Sequence, residues 1–271
     1  MNAQTQAATR LRAIISTAGL SGLGIIAVIV ALSDVIAHVP AGMRNAGPSS
    51  LPPDAHFVFG TDILGRDVMS ETVHALAVTA IMAALAALVA IAVGAVAGFT
   101  AARIPRWLGA TLRGITGVLG TVPVLLLAIV VVGLAGHDLA ILAAGLAASP
   151  SAFNRSFDRA ARLAQSRHAE YARATGIPPL ILLRRDLVYE LRANFINIAG
   201  RALASTAIAL STMSFLGFGA VPPHRDLGLM IAAARANYLE LWWPALFPAL
   251  ALVVFILFAR LAAALDEGEA A

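Results

Sequence analysis

This chain of 271 residues contains no lysine and no cysteine. Without lysine the phosphate-gripping loop G-x-x-x-x-G-K-[ST] cannot be assembled, which excludes ATP hydrolysis by that route. Without cysteine there are no disulfides, thiolate metal sites or cysteine nucleophiles. Charge is scarce too: 13% of residues are charged and 59% hydrophobic, with a mean hydropathy of +0.84. A soluble domain of this length must show water far more polar surface, so the sequence reads as an all-α integral membrane protein.

Hydrocarbon about 30 Å thick takes roughly 20 apolar residues per helical crossing. About six transmembrane helices are predicted on that basis, over residues 13–37, 72–101, 112–135, 138–155, 193–218 and 243–264. The fourth is short and carries Pro150 near its inner end, where a kink or change of direction is expected. The first is longer than the 7 to 15 apolar residues or so of a signal peptide, and no clear small-x-small cleavage site follows Ile36. It is therefore expected to stay as an anchor.

Arginine sets the orientation. With a cytoplasmic N-terminus, the inner side collects Arg10, Arg12, Arg103, Arg106, Arg113 and Arg260, together with Arg155, Arg159, Arg162, Arg167, Arg173, Arg184, Arg185 and Arg192 of one long polar segment. The outer side holds only Arg44, Arg66, Arg225 and Arg235. This positive-inside pattern places both termini in the cytoplasm. The basic balance then reports topology and anionic lipid, and no nucleic-acid partner is expected. The chain divides into a cytoplasmic N-terminus with the first helix (1–37), an outer segment (38–71) and a five-helix core (72–271) with an inner loop at 155–192.

Ionisable groups deep in the membrane would mark a self-sufficient pump, yet no acid sits at mid-membrane: Asp34, Glu71 and Asp138 lie near outer ends, Glu190 and Asp266 near inner ones. Arg201 is the strongly charged side chain well inside a crossing, about eight residues or roughly 12 Å from its inner end. Two readings stay open for it: snorkelling or helix packing, and attraction of an anionic cargo. His38, His56, His74, His137 and His224 fall on the outer side without ligand spacing, so no metal site is assigned. Met213 reads as core. No catalytic residues are assigned, because no nucleophile, base and oxyanion arrangement can be assembled from the loops.

The outer segment is proline- and glycine-rich up to Pro53 and then reads Phe59-Gly60-Thr61-Asp62-Ile63-Leu64-Gly65-Arg66-Asp67. Thr61 or Asp62 is expected to cap a short helix, and Asp67 with Ser70 to start the second crossing. Gly94 and Gly98, and Gly114, Gly117 and Gly120, have spacings that let helices pack closely. A second outer segment, 219–242, leads into Trp242-Trp243, read as interfacial aromatics.

Several motifs in order now carry a resemblance. The F-G-T-D-x-x-G-R-D sequence at Phe59–Asp67 is followed by Pro150 with Arg155, by Glu170 to Gly176, by Ser214-Phe215-Leu216-Gly217-Phe218-Gly219, by Pro222-Pro223 and Gly228, and by Ala245-Leu246-Phe247-Pro248. From about residue 57 onward the chain resembles the permease subunits of the dipeptide, oligopeptide and nickel family of ATP-binding-cassette importers. The resemblance implies a type I importer permease fold and a place in the bacterial inner membrane. It implies as partners a homologous second permease, two cytoplasmic ATPase subunits and a periplasmic or lipid-anchored solute-binding protein. No cofactor is implied on this chain; ATP and Mg belong to the ATPase subunits.

By the same resemblance, Glu170, Tyr171, Ala172 and Gly176 match the short coupling helix that docks on the ATPase, with Tyr171 in place of the usual alanine. The periplasmic signature comprises Gly60, Thr61, Asp62, Gly65, Arg66 and Asp67. Candidate pathway residues are Arg201, Leu210, Met213 and Ser214, Leu210 standing where a glutamate is common. Arg185-Asp186-Leu187-Val188-Tyr189-Glu190 also departs from the family's usual run after the glycine. The implied cargo is a small peptide, with nickel or a metal chelate as the alternative. A stand-alone secondary transporter or intramembrane enzyme is the rival class; it would show paired broken helices or facing polar groups at one depth, and neither pattern is present.

Overall fold

A computed structural model describes residues 3–136, 139–165, 175, 179–219 and 225–266. Among the described residues the chain is helical, with a single isolated antiparallel bridge between Thr61 and Asp67. Helix α1 (Ala3–Ala31) and the short α2 (Ser33–Ile36) lead into the outer segment. The next crossing is α3 (Val68–Ala90), a π turn at Ile91–Ala95 and α4 (Val96–Ala101). Then come α5 (Arg106–Thr121), α6 (Val124–Ala135), α7 (Ala140–Ala164) and α8 (Pro179–Phe215). The chain closes with the short α9 (Leu227–Ala234) and α10 (Trp243–Ala262).

Among the described residues, four helical stretches are long and apolar enough to cross a membrane: Arg10–Ala31, Val68–Ala101, Ile196–Phe215 and Trp243–Ala262. The run at 112–135, expected as one straight crossing, is broken into α5 and α6 with a bend of 96°. Pro123 causes this: it has no N–H to give the ladder, and it holds Val122 in an extended conformation with ψ 131°. Counting the bent pair as one span gives five.

Helix α7 is the expected fourth crossing, but it falls outside those apolar spans because it is the helix that the others surround. It packs on α3, α4, α5, α6 and α8. Its buried face is mostly small, built from Ala143, Ala144, Ala147, Ala148, Ala152 and Ala160 with Phe153 as the large side chain among them. Small residues let the neighbouring backbones approach: a Cβ on Gly94 or Gly98 would lie 2.3 Å from the Ser149 carbonyl oxygen or 2.2 Å from that of Phe153. The helix runs on through the buried Pro150 to Ala164.

Large aliphatic side chains lie on the outside, among them Val28, Leu88, Val130 and Val253. Alanine inside and leucine or valine outside inverts the soluble pattern and suits a lipid surround. The few polar groups in the interior bridge helices: Thr206 Oγ1 of α8 donates to the Ala83 carbonyl of α3 at 2.9 Å, and the Leu227 N–H donates to Thr79 Oγ1 at 3.0 Å. Near the C-terminal end of α10, Ser16 Oγ donates to the Ala262 carbonyl at 3.1 Å and fixes α1 against α10. The polar segment 155–192, read as a loop, is largely helix. Helix α7 extends to Ala164, and α8 begins at Pro179 and is 37 residues long, roughly 55 Å at 1.5 Å per residue.

Candidate functional site

The outer signature forms a tight turn and not the short helix expected from Thr61 or Asp62. Asp62 Oδ1 accepts from the backbone N–H groups of Leu64 (2.8 Å) and Arg66 (2.9 Å), closing the turn on itself. Gly60 and Gly65 have φ of +71° and +66°, a region L side chains seldom enter. A Cβ there would also fall 2.6 Å from the Leu51 carbonyl oxygen or 2.5 Å from that of Gly47. Thr61, fully buried, accepts from the Leu51 N–H at 2.9 Å and donates to the Pro48 carbonyl, so the proline-rich connector is held against the signature.

Asp67 starts α3 as expected, its carboxylate accepting from the N–H groups of Met69 (3.3 Å) and Ser70 (3.0 Å). The turn is docked on the distant start of α10. Trp243 Nε1 donates to the Thr61 carbonyl at 2.9 Å, and the rings of Phe59 and Phe247 stack with centroids 4.0 Å apart. Trp243, read as an interfacial aromatic, is therefore a buried brace, while Trp242 is half exposed. The structure brings Gly60, Thr61, Asp62, Gly65, Arg66 and Asp67 together in one unit.

The candidate pathway residues separate into two places. Leu210 and Met213 are buried in the helix core, beside Leu227 and Met230 of α9. Ser214, buried as well, hydrogen-bonds the carboxylate of Asp226, which in turn caps α9 by accepting from the Leu229 N–H at 2.8 Å. These three residues hold α9 against α8. Arg201 lies toward the other end of the bundle, near the close of α10, its Nε donating to Asn197 Oδ1 at 3.2 Å, while Asn197 Nδ2 donates to the Ala263 carbonyl at 2.6 Å.

Arg201 also lines a cavity of about 300 Å³ with Arg12 and Arg260, and Arg155 lies within electrostatic range of Arg201 and Arg260. The sequence singles out Arg201 within its crossing but names no other arginine beside it. The signal that could have found the cluster is the common inner level of Arg12, Arg155 and Arg260, although helix neighbours are set only in three dimensions.

At the end of the bundle away from the signature turn, a larger groove of about 890 Å³ runs between α4, α5 and α7, past Arg106, Gly114, Gly117, Phe157 and Gln165. Arg113 clamps α5 to α7 through a two-pronged pair, Nε to Asp158 Oδ1 at 2.9 Å and Nη2 to Oδ2 at 3.0 Å. Thr116 Oγ1 donates to Asn154 Oδ1 at 2.7 Å, and Asn154 Nδ2 returns a bond to the Thr116 carbonyl at 3.1 Å. The groove ends where α7 does. Glu170, Tyr171, Ala172 and Gly176, the expected coupling residues, lie outside the described residues.

The profile of the family described as "binding-protein-dependent transport system inner membrane component" matches residues 90–267. The chain belongs to that family. It is a transport permease of the ATP-binding-cassette importer class with several apolar membrane helices.

The permease is similar to a peptide transport system permease protein of Brucella suis, 27% identical over 238 residues, covering 86% of this chain and 80% of the relative. It is also similar to the glutathione transport system permease protein GsiD of Pectobacterium atrosepticum, 28% identical over 215 residues (79% and 70% covered). GsiD of Escherichia coli O6:K15:H31 is 28% identical over 207 residues (76% and 68% covered).

Proposed function

We propose that this permease moves short peptides inward across the bacterial cytoplasmic membrane, driven by ATP hydrolysis on separate subunits. The observation that carries the reading is the family match over residues 90–267, joined to relatives named for peptide and glutathione transport. The chain has no lysine with which to form a P-loop, so the energy must arrive from outside it. Two cytoplasmic ATPases, holding ATP and Mg, and a second permease complete the machine. A solute-binding protein on the outer side delivers cargo to the face that carries the signature turn.

In this reading Glu170, Tyr171, Ala172 and Gly176 form the knob through which ATPase closure moves the permease. The long, largely helical arms α7 and α8 suit that purpose: they leave only residues 165–178 between them, so force applied there passes directly into helices that cross the core. Both termini lie in the cytoplasm, as the arginine asymmetry indicates. The test is uptake of a labelled short peptide into vesicles carrying the permease pair, the ATPases and the binding protein. Accumulation should require ATP and the binding protein together; accumulation without either would reject an ATP-driven importer.

A further inference from the structure

Beneath the signature turn lies a small cavity of about 90 Å³, lined by Asp62, Arg66, Glu71, Arg225, Met230 and Asn237 among others. Arg66 is only 5% exposed, yet its Nε and Nη1 meet no hydrogen-bond acceptor among the described residues. Its nearest acid is Asp62, whose Oδ2 is 4.0 Å from Nε, outside hydrogen-bond reach.

The other acidic oxygens are engaged. Asp62 Oδ1 serves the turn, Glu71 Oε1 accepts from the Gly42 N–H, and Glu71 Oε2 lies 3.7 Å from Arg225 Nη1. Among the described residues the charges acting on Arg225 are those of Arg66 and Arg44 on one side and Glu71 and Asp62 on the other, so the three guanidiniums outnumber the two carboxylates. Burial, and then the charge of Arg66, hold the Arg225 guanidinium below its usual range, as expected in a positive pocket.

A buried guanidinium with unmet donors is costly, and its planar fork matches the two oxygens of a carboxylate. The volume is enough for one carboxylate head. We propose that this cavity binds a single carboxylate, with Arg66 supplying the buried donors and Arg225 the charge at its mouth. Resting on the peptide reading above, the occupant is the terminal carboxylate of the cargo, held at the outer face before translocation.

The test uses the complete permease–ATPase complex in lipid nanodiscs, without the binding protein and with Trp107 and Trp242 replaced by Phe. The readout is the emission of Trp243, which is bonded to the signature turn. Acetate and glycylglycine should each give a saturable change, while acetamide and glycylglycine amide give none. Arg66→Gln and Arg225→Gln should weaken both responses at least about tenfold, the worth of one charge-assisted hydrogen bond. Arg66→Lys, which keeps charge but loses the fork, should fall between.

Equal responses to acetate and acetamide, or no response to either in the parent complex, would overturn the site whether or not the variants assemble. A response to acetate but not to glycylglycine would remove the cargo as occupant. ATP-driven peptide uptake by a complex indifferent to carboxylates would reject this inference and leave the transport reading intact. Carboxylate binding without any peptide uptake would do the reverse.

Discussion

Trp243 and Thr61 stand 182 residues apart in sequence, yet the indole Nε1–H reaches the threonine carbonyl at 2.9 Å in the buried interior. This bond ties the turn that opens the second crossing to the start of the last one. Trp243→Phe keeps most of the ring packing but leaves a buried carbonyl unserved. It should lower stability by about 1–2 kcal/mol, read as an earlier unfolding midpoint in detergent. An unchanged midpoint would show that the brace is dispensable.

Gly60→Ala should be worse than Trp243→Phe. The new Cβ meets both an unfavourable φ of +71° and the Leu51 carbonyl oxygen at 2.6 Å, a backbone contact that cannot swing aside. The conformational part alone costs about 1–3 kcal/mol. The comparison of interest is expression of folded protein for the two variants side by side, with Gly60→Ala the lower.

Two glycine groups that look alike in sequence should answer differently. Gly98→Ala pushes a methyl to 2.2 Å from the Phe153 carbonyl oxygen and should separate α4 from α7, with loss of folded protein. Gly114→Ala meets nothing within 4 Å and should fold normally, with a slight gain in helix propensity of up to about 1 kcal/mol. Equal damage from both substitutions would contradict this packing.

The absence of cysteine makes topology directly measurable. Single cysteines at the exposed Ala55 and Gln165 should differ in intact spheroplasts: an impermeant thiol reagent should label the first and spare the second until the membrane is opened. The reverse pattern would invert the orientation.

Much of the helix plan was legible because lipid demands long apolar runs, and the second and last crossings appear near their expected bounds. Asp67 could be read as a cap because N-cap chemistry is local. The break at Pro123 was missed because Val122-Pro123-Val124 sits in an unbroken apolar stretch, where hydropathy gives no sign of a 96° turn. Helix α7 misled in another way: shielded by its neighbours, it can be rich in alanine and end in arginines and an aspartate. Gly94 and Gly98 pack as read, whereas Gly114 opens on a groove and Gly117 and Gly120 meet only side-chain ends. Of the candidate site, the signature motif was visible as residues, but its docking on Trp243 and Phe247 and the unmet donors of Arg66 are set by the folded surroundings, which local spacing does not encode.

Arg201→Gln separates the two roles open to that residue. Loss of the Asn197 contact and of charge beside Arg12 and Arg260 should leave the folded complex and its basal ATPase activity in place if the charge serves an anionic cargo, with uptake reduced. Loss of folded complex would assign Arg201 to holding the inner ends of α8 and α10.

In the proposed mechanism an external ATPase drives this permease through the segment between α7 and α8. The most direct measurement compares parent and Glu170→Ala/Gly176→Val complexes in vesicles, recording peptide accumulation and ATP hydrolysis together. The parent should accumulate peptide only with ATP and binding protein, and the double variant should lose accumulation through weaker ATPase association or hydrolysis that no longer drives uptake. Parent-like values of both quantities in the double variant would contradict the account.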